Sequence, residues 1–202
     1  MIYLRQKNLG FVHIAKTGGS SITYALAPYL RKGPHRLEGK GWQIPYHATG
    51  HMHEPLSRSL AKLGTKPDRF FTVVRNPFSR VVSCFLNRPA DLRSLGTLLE
   101  FLDARKRDAM ARRDHLSRPA CWYLDRDVDL TVLRFENLEN DFREFMTTLG
   151  PPFDSLSLPH VLNRNHPPYQ QVLADDAVSV LLIKEIYAQD FERFGYDPTE
   201  LD

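Results

Sequence analysis

Phe11-Val-His-Ile-Ala-Lys-Thr-Gly-Gly-Ser-Ser21 is the stretch from which the fold of this chain follows. The apolar run Phe11 to Ile14 reads as a buried strand and Ile22 to Leu30 as a helix, so Lys16 to Ser21 form the strand-to-helix turn. Such a turn attracts anions. The first N–H groups of a helix have no intrahelical acceptors, and the helix dipole places partial positive charge at the same end. Gly18 and Gly19 let an anion approach the backbone, Thr17, Ser20 and Ser21 offer hydroxyls, and Lys16 adds a mobile point charge. The stretch departs from the Gly-x-x-x-x-Gly-Lys-[Ser/Thr] phosphate loop, because no glycine directly precedes Lys16.

A second stretch, Phe70-Phe-Thr-Val-Val-Arg-Asn-Pro-Phe-Ser-Arg-Val-Val-Ser83, narrows the kind of anion. A metal-dependent P-loop phosphotransferase usually ends a neighbouring strand in an aspartate that holds magnesium. Here the strand Arg69 to Val74 is followed by Arg75. A guanidinium favours bidentate contact with phosphate oxygens and repels a metal. The next helix starts with Asn76 as N-cap and Pro77 at its first position. Phe78, Val81, Val82 and Phe85 make its apolar stripe, which leaves Ser79, Arg80 and Ser83 on the opposite side and turns Ser83 toward the same cleft as Arg75.

With these residues the chain resembles the sulfotransferases that use 3′-phosphoadenosine 5′-phosphosulfate (PAPS), especially the carbohydrate and heparan-sulfate 2-O branch. The resemblance implies that Lys16, Thr17, Gly18, Gly19, Ser20 and Ser21 hold the 5′-phosphosulfate and that Arg75 and Ser83 hold the 3′-phosphate. It extends to Thr49-Gly-His-Met, to Val132-Leu-Arg-Phe-Glu-Asn-Leu138 and to Ala188-Gln-Asp-Phe-Glu-Arg-Phe-Gly-Tyr196, and so spans nearly the whole chain.

At 202 residues the chain is expected to be a single sulfotransferase-like catalytic domain, residues 1–202, with ordinary apolar and charged fractions. Its net charge of +3 is too small to argue for nucleic-acid binding. Met1 to Asn8 lacks an apolar core of signal-peptide length, and no stretch is long enough to span a membrane. Glycan sulfotransferases of eukaryotes usually carry an amino-terminal anchor, so a cytoplasmic enzyme of bacterial type is expected, with an excised catalytic domain as the alternative. Cys84 and Cys121 are the only cysteines and make no metal-type pair; both read as buried thiols, with Cys84 placed to pack near the nucleotide.

Arg31 to His53 reads as a polar loop, followed by a helix that carries Leu56, Leu60 and Leu63 and stops at a left-handed Gly64. Leu95, Leu98, Leu99 and Leu102 give a helical stripe that runs into the basic segment Arg105 to Arg113, a solvated face. Val128 to Phe135 alternates like a strand, Glu136 to Leu149 continues as helix, and a long helix Ala177 to Phe194 stops at Gly195. Alternating strands and helices predict an α/β, P-loop-like three-layer fold with a central parallel sheet flanked by helices. The nucleotide is then expected at the carboxyl ends of the strands.

Sulfuryl transfer to a hydroxyl needs a group that takes the acceptor's proton, and histidine titrates in the right range. His47, His51 and His53 cluster in one loop beside Glu54. In the resembling branch a Gly-His segment supplies the base, which makes His51 the first candidate and His53 the second. The same cluster is compatible with zinc or with histidines that only satisfy loop backbone. No metal is expected, nonetheless. His13 is expected to be packed in the first strand, and Glu136 to serve as a helix-start residue. Arg134, Arg164 and His166 are candidates for phosphate or substrate contact, and Trp42, Trp122, Tyr123 and Tyr169 for stacking on adenine or sugar, though large aromatics more often fill cores. The reading is a PAPS-dependent sulfotransferase with a carbohydrate or glycolipid hydroxyl as acceptor. Its rivals are a P-loop small-molecule kinase and a catalytically silent nucleotide- or glycan-binding module of the same fold.

Overall fold

The apolar runs of both motifs become neighbouring strands of one sheet. The structure, a computed structural model, describes residues 1–30, 53–88, 94–107, 117–159 and 167–201. In chain order its elements are β1 (Ile2–Leu4), β2 (Leu9–Val12), α1 (Gly19–Leu26), α2 (Leu56–Leu63), β3 (Arg69–Val74), α3 (Pro77–Leu86), α4 (Leu98–Lys106), α5 (Ala120–Tyr123), β4 (Leu130–Arg134), α6 (Leu138–Leu149), α7 (Tyr169–Leu173), α8 (Ala177–Ile186) and α9 (Ala188–Phe194). The fold is mixed α/β, with a four-stranded sheet in the order β1-β2-β3-β4 flanked by helices. The chain divides into two compact units, Met1–Val74 with Tyr123–Asn163 and Arg75–Trp122 with Arg164–Asp202.

The first unit holds the sheet. The expected all-parallel sheet needs a correction, because β1 pairs antiparallel with β2, Ile2 opposite Phe11 and Leu4 opposite Leu9. Only Arg5 to Asn8 separate the two strands, and Asn8 adopts a left-handed φ of 46° to reverse the chain. A connection that short permits only an antiparallel return, whereas parallel pairs need a crossover. The β2–β3 and β3–β4 pairs are parallel, with Val12 opposite Thr72 and Val74 opposite Arg134. One face of the sheet, carrying Leu9, Phe11, Phe71, Val73 and Leu133, packs on Ile22 and Leu26 of α1 and on Phe142 and Met146 of α6. Phe70, Thr72 and Val74 on the other face of β3 are buried too, which accounts for the unbroken apolar run in the sequence.

The second unit is helical. Asn76 caps α3 by accepting from the Phe78 and Ser79 N–H groups, as the sequence predicts. The start of α4 is a capping box, with Thr97 Oγ1 accepting from Glu100 N–H and the Glu100 carboxylate accepting from Thr97 N–H. Phe78, Val81 and Val82 pack with Phe101, Leu102, Ile183 and Phe191 in one apolar cluster, and Cys84 lies among them.

Partners from far along the chain decide how Arg80 and Tyr187 are used. Arg80, opposite the apolar stripe of α3, is 1% exposed, donates from Nη2 to Arg118 O at 2.5 Å and lies 3.9 Å from the Asp190 carboxylate. The same carboxylate accepts from the Ala120 and Cys121 N–H groups and so caps α5. Burial and the neighbouring Asp190 push the half-buried Cys121 thiol up to about 12. Arg105 is buried rather than solvated, and residues 108–113 of the basic run lie outside the described residues. The long helix expected over Ala177 to Phe194 breaks at Tyr187, whose buried hydroxyl donates to Ser117 O.

Candidate functional site

After Val12 the chain leaves the sheet through His13 to Gly18 before α1 begins. Gly18 is left-handed at φ 80°, and so is Lys16 at φ 66°. A non-glycine residue held there carries backbone strain of about 1–2 kcal/mol. Thr17 is fully buried, and its hydroxyl donates to Ile14 O at 2.9 Å, so this side chain holds the shape of the turn. Gly18 O accepts from the Ser21 and Ile22 N–H groups, while the N–H groups of Gly18, Gly19 and Ser20 belong to the first turn, where no intrahelical acceptor exists. Ser20 and Ser21 lie inside α1 rather than before it, and both are half-buried.

Packing requires the two glycines. A Cβ on Gly18 would stand 2.6 Å from Leu138 Cδ2 and 3.4 Å from the Phe135 ring. A Cβ on Gly19 would stand 2.1 Å from the Cδ2 and Nε2 atoms of His13. His13 is buried just beyond β2, stacked on Phe11 at 5.5 Å, so its ring cannot yield easily. Gly19→Ala is therefore expected to destabilise the protein by about 1–3 kcal/mol, the usual scale of overpacking. A melting temperature equal to that of wild type in thermal denaturation would contradict this packing.

His53 packs against His13. Its ring meets His13 edge-on at 4.5 Å, and its Nδ1 lies 3.2 Å from His13 O. A carbonyl only accepts, so Nδ1 carries the hydrogen and Nε2 carries the lone pair of the neutral imidazole. Glu54 points elsewhere, accepting from Ser59 Oγ at 3.1 Å and from Lys62 Nζ at 2.5 Å. His47 and His51 lie outside the described residues.

In the second unit Arg75 directly precedes the capped start of α3. Its Nε donates to Ser79 Oγ at 2.9 Å, which holds the guanidinium along the first turn. Ser83 is one turn beyond Ser79 on the same face and is buried. Asn76 Nδ2 donates to Glu200 Oε2 at 3.0 Å.

A model of the family described as the sulfotransferase family matches residues 1–197. The chain belongs to the sulfotransferase family. No curated protein and no solved structure matches it.

Membership makes sulfuryl transfer to a hydroxyl-bearing acceptor the chemistry of the group; the heparan-sulfate 2-O branch is a finer assignment. The remaining candidates sort by surroundings. Arg134 ends β4 at the sheet edge where β3 ends; its backbone N–H goes to Asp141 and its side chain is exposed. Glu136 lies in the 3-10 turn Phe135–Asn137 that leads into α6, close to the expected helix start. Tyr123 is fully buried and is a core residue of the sulfotransferase rather than a stacking platform. Trp122 receives the Arg118 guanidinium at 5.3 Å, and Tyr169 lies parallel to Phe78 at 6.3 Å. Cys84 packs in the apolar cluster of the second unit. Trp42, Arg164 and His166 lie outside the described residues. Among the described residues no helix is long and apolar enough to cross a membrane, and no group of three or more His, Cys, Asp or Glu could hold a metal.

Three features around these residues leave little signal in the sequence. The left-handed Lys16 leaves no mark in composition, because lysine is not a turn-forming residue. Phe135 and Leu138 back Gly18, and only their place in the Arg-Phe-Glu-Asn-Leu segment hinted at a scaffold role. Glu200 follows the last helix and had no periodicity to single it out.

Proposed function

We propose that this sulfotransferase, acting as one catalytic domain over residues 1–202, transfers the sulfuryl group of PAPS to a hydroxyl of a carbohydrate or glycolipid without a metal. The observation that carries the reading is the pair of exits from the sheet. Parallel β2 and β3 end at one edge, β2 running into the strained Lys16 to Gly19 turn and β3 into Arg75. Anions are the ligands that both exits suit, and the resemblance to PAPS enzymes accounts for two of them on one nucleotide.

In this reading the Thr17-to-Ser21 turn holds the 5′-phosphate, with the N–H groups of Gly18, Gly19 and Ser20 as its backbone donors, and Arg75 with Ser83 holds the 3′-phosphate. The acceptor oxygen forms a bond to sulfur while the bond from sulfur to the 5′-phosphate oxygen breaks. Lys16 meets the charge that develops on this leaving oxygen. The acceptor's proton passes to an imidazole of the His51 and His53 pair; the hydrogen bond from His53 Nδ1 to His13 O favours His53, because it leaves Nε2 as the accepting nitrogen.

Wild type is expected to bind 3′-phosphoadenosine 5′-phosphate more tightly than adenosine 5′-phosphate. Arg75→Ala should remove that preference by roughly ten- to a hundredfold, the scale of a hydrogen bond to a charged group. Calorimetry with both nucleotides checks it. Equal affinities in wild type would remove the 3′-phosphate assignment, and turnover that a chelator abolishes and magnesium restores would favour the kinase reading.

A further inference from the structure

An unbroken run of hydrogen bonds joins the segment after α9 to Arg75. Glu200 Oε2 accepts from Asn76 Nδ2 at 3.0 Å. Asn76 Oδ1 accepts from Phe78 N–H at 2.9 Å and from Ser79 N–H at 3.3 Å. Ser79 Oγ in turn accepts from Arg75 Nε at 2.9 Å. The other Glu200 oxygen accepts from the Tyr169 hydroxyl, and the Tyr169 ring lies parallel to Phe78 in the first turn of α3. Glu200 thus reaches the start of α3 by two routes.

The segment that carries Glu200 is itself held. Tyr196 and Leu201, on either side of it, pack against the apolar cluster of the second unit. Between them the Asp197 carboxylate accepts from the Thr199 N–H and hydroxyl, both at 2.7 Å, and so shapes the turn that leads to Glu200. An exposed glutamate ordinarily keeps its rotamer freedom, and holding it costs entropy. Here the turn has already limited where the carboxylate can go.

The consequence for Asn76 is chemical. An asparagine amide can rotate by half a turn with almost no change of shape, which would exchange its acceptor for its donor. A carboxylate accepts only, so Glu200 fixes the NH2 end on its own side and aims Oδ1 at the helix N–H groups. That orientation sets Ser79, and Ser79 sets the plane of the Arg75 guanidinium. With Nε committed to Ser79, a phosphate would be met by Nη1 and Nη2, which together suit two of its oxygens.

We infer that Glu200 is a positioning residue for Arg75: it orients the guanidinium for the 3′-phosphate through Asn76 and Ser79. The inference rests on the proposed nucleotide reading. Glu200 needs no contact with the ligand for this role. Its carboxylate would repel a phosphate that came close, so its value lies in the orientation it imposes.

The test measures the ratio of affinities for 3′-phosphoadenosine 5′-phosphate and adenosine 5′-phosphate by calorimetry in wild type, Arg75→Ala, Glu200→Ala, Glu200→Gln and Ser79→Ala. Glu200→Ala is expected to lower the ratio about three- to tenfold, the scale of one hydrogen bond, with adenosine 5′-phosphate affinity unchanged. Glu200→Gln should restore it, since its amide oxygen accepts from Asn76 and its NH2 donates to the Tyr169 hydroxyl. Ser79→Ala cuts the run at its other end and should reproduce the loss even if Glu200→Ala folds poorly. A wild-type ratio in both Glu200→Ala and Ser79→Ala, with the ratio lost in Arg75→Ala, overturns the inference and leaves the nucleotide reading standing. Equal losses in the Ala and Gln variants of Glu200 also overturn it. An unchanged ratio in Arg75→Ala overturns the nucleotide reading itself.

Discussion

His53→Ala is expected to lower turnover by roughly 10²–10⁴, the span that follows removal of a general base, with donor affinity nearly intact. Wild-type turnover should rise with pH as the imidazole loses its proton, because only the neutral ring accepts one. His53→Asn separates this role from a structural one. The asparagine NH2 takes the place of Nδ1–H against His13 O, so stability should return, whereas no titratable nitrogen remains and turnover should stay low. Steady-state rates across pH and thermal melts of both variants, with His51→Ala beside them, decide the assignment. A loss confined to His51→Ala moves the role to that residue, and normal turnover in both alanine variants removes the histidine base from the mechanism.

Lys16→Ala should depress turnover by roughly a hundredfold or more, the effect of removing one electrostatic stabiliser of transition-state charge. Nucleotide affinity should fall far less, since the backbone N–H groups of the turn remain. The left-handed φ of Lys16 makes alanine the informative replacement. Alanine has the same Cβ and bears the same backbone strain, so the comparison isolates the ammonium. Glycine would relax the turn as well and mix the two effects. Near-normal turnover of Lys16→Ala at saturating donor would mean that another group stabilises the leaving oxygen.

Local signals are legible in the sequence because their causes are local. Arg69 to Val74 is a strand with the expected ends, Leu56 to Leu63 is the helix that Gly64 closes, and Asn76 and Pro77 start α3 as a cap and a first-turn proline should. Each depends on periodicity or backbone restriction within a few residues. Candidate anion ligands were legible for the same reason, since a strand followed by Lys-Thr-Gly-Gly and a strand followed by Arg-Asn-Pro each carry their chemistry in consecutive positions. Boundaries slipped where pairing overruled pattern: β2 starts at Leu9 because Leu9 and Gly10 face Arg69 and Phe70, and Ile14 lies beyond it.

By itself, then, the sequence determined the strand–turn–helix units and their caps. It did so through residues that act on their near neighbours. The tertiary structure alone decided which polar residues are used up in holding the frame. Arg80 reads only as a residue opposite the apolar stripe until Asp190 and Arg118 O arrive beside it, and Gly19 reads as an open approach to an anion until the His13 ring is found against it. Asn76 and Glu200 are 124 residues apart. No periodicity links such positions, because burial and hydrogen bonding depend on which distant segment the fold brings alongside.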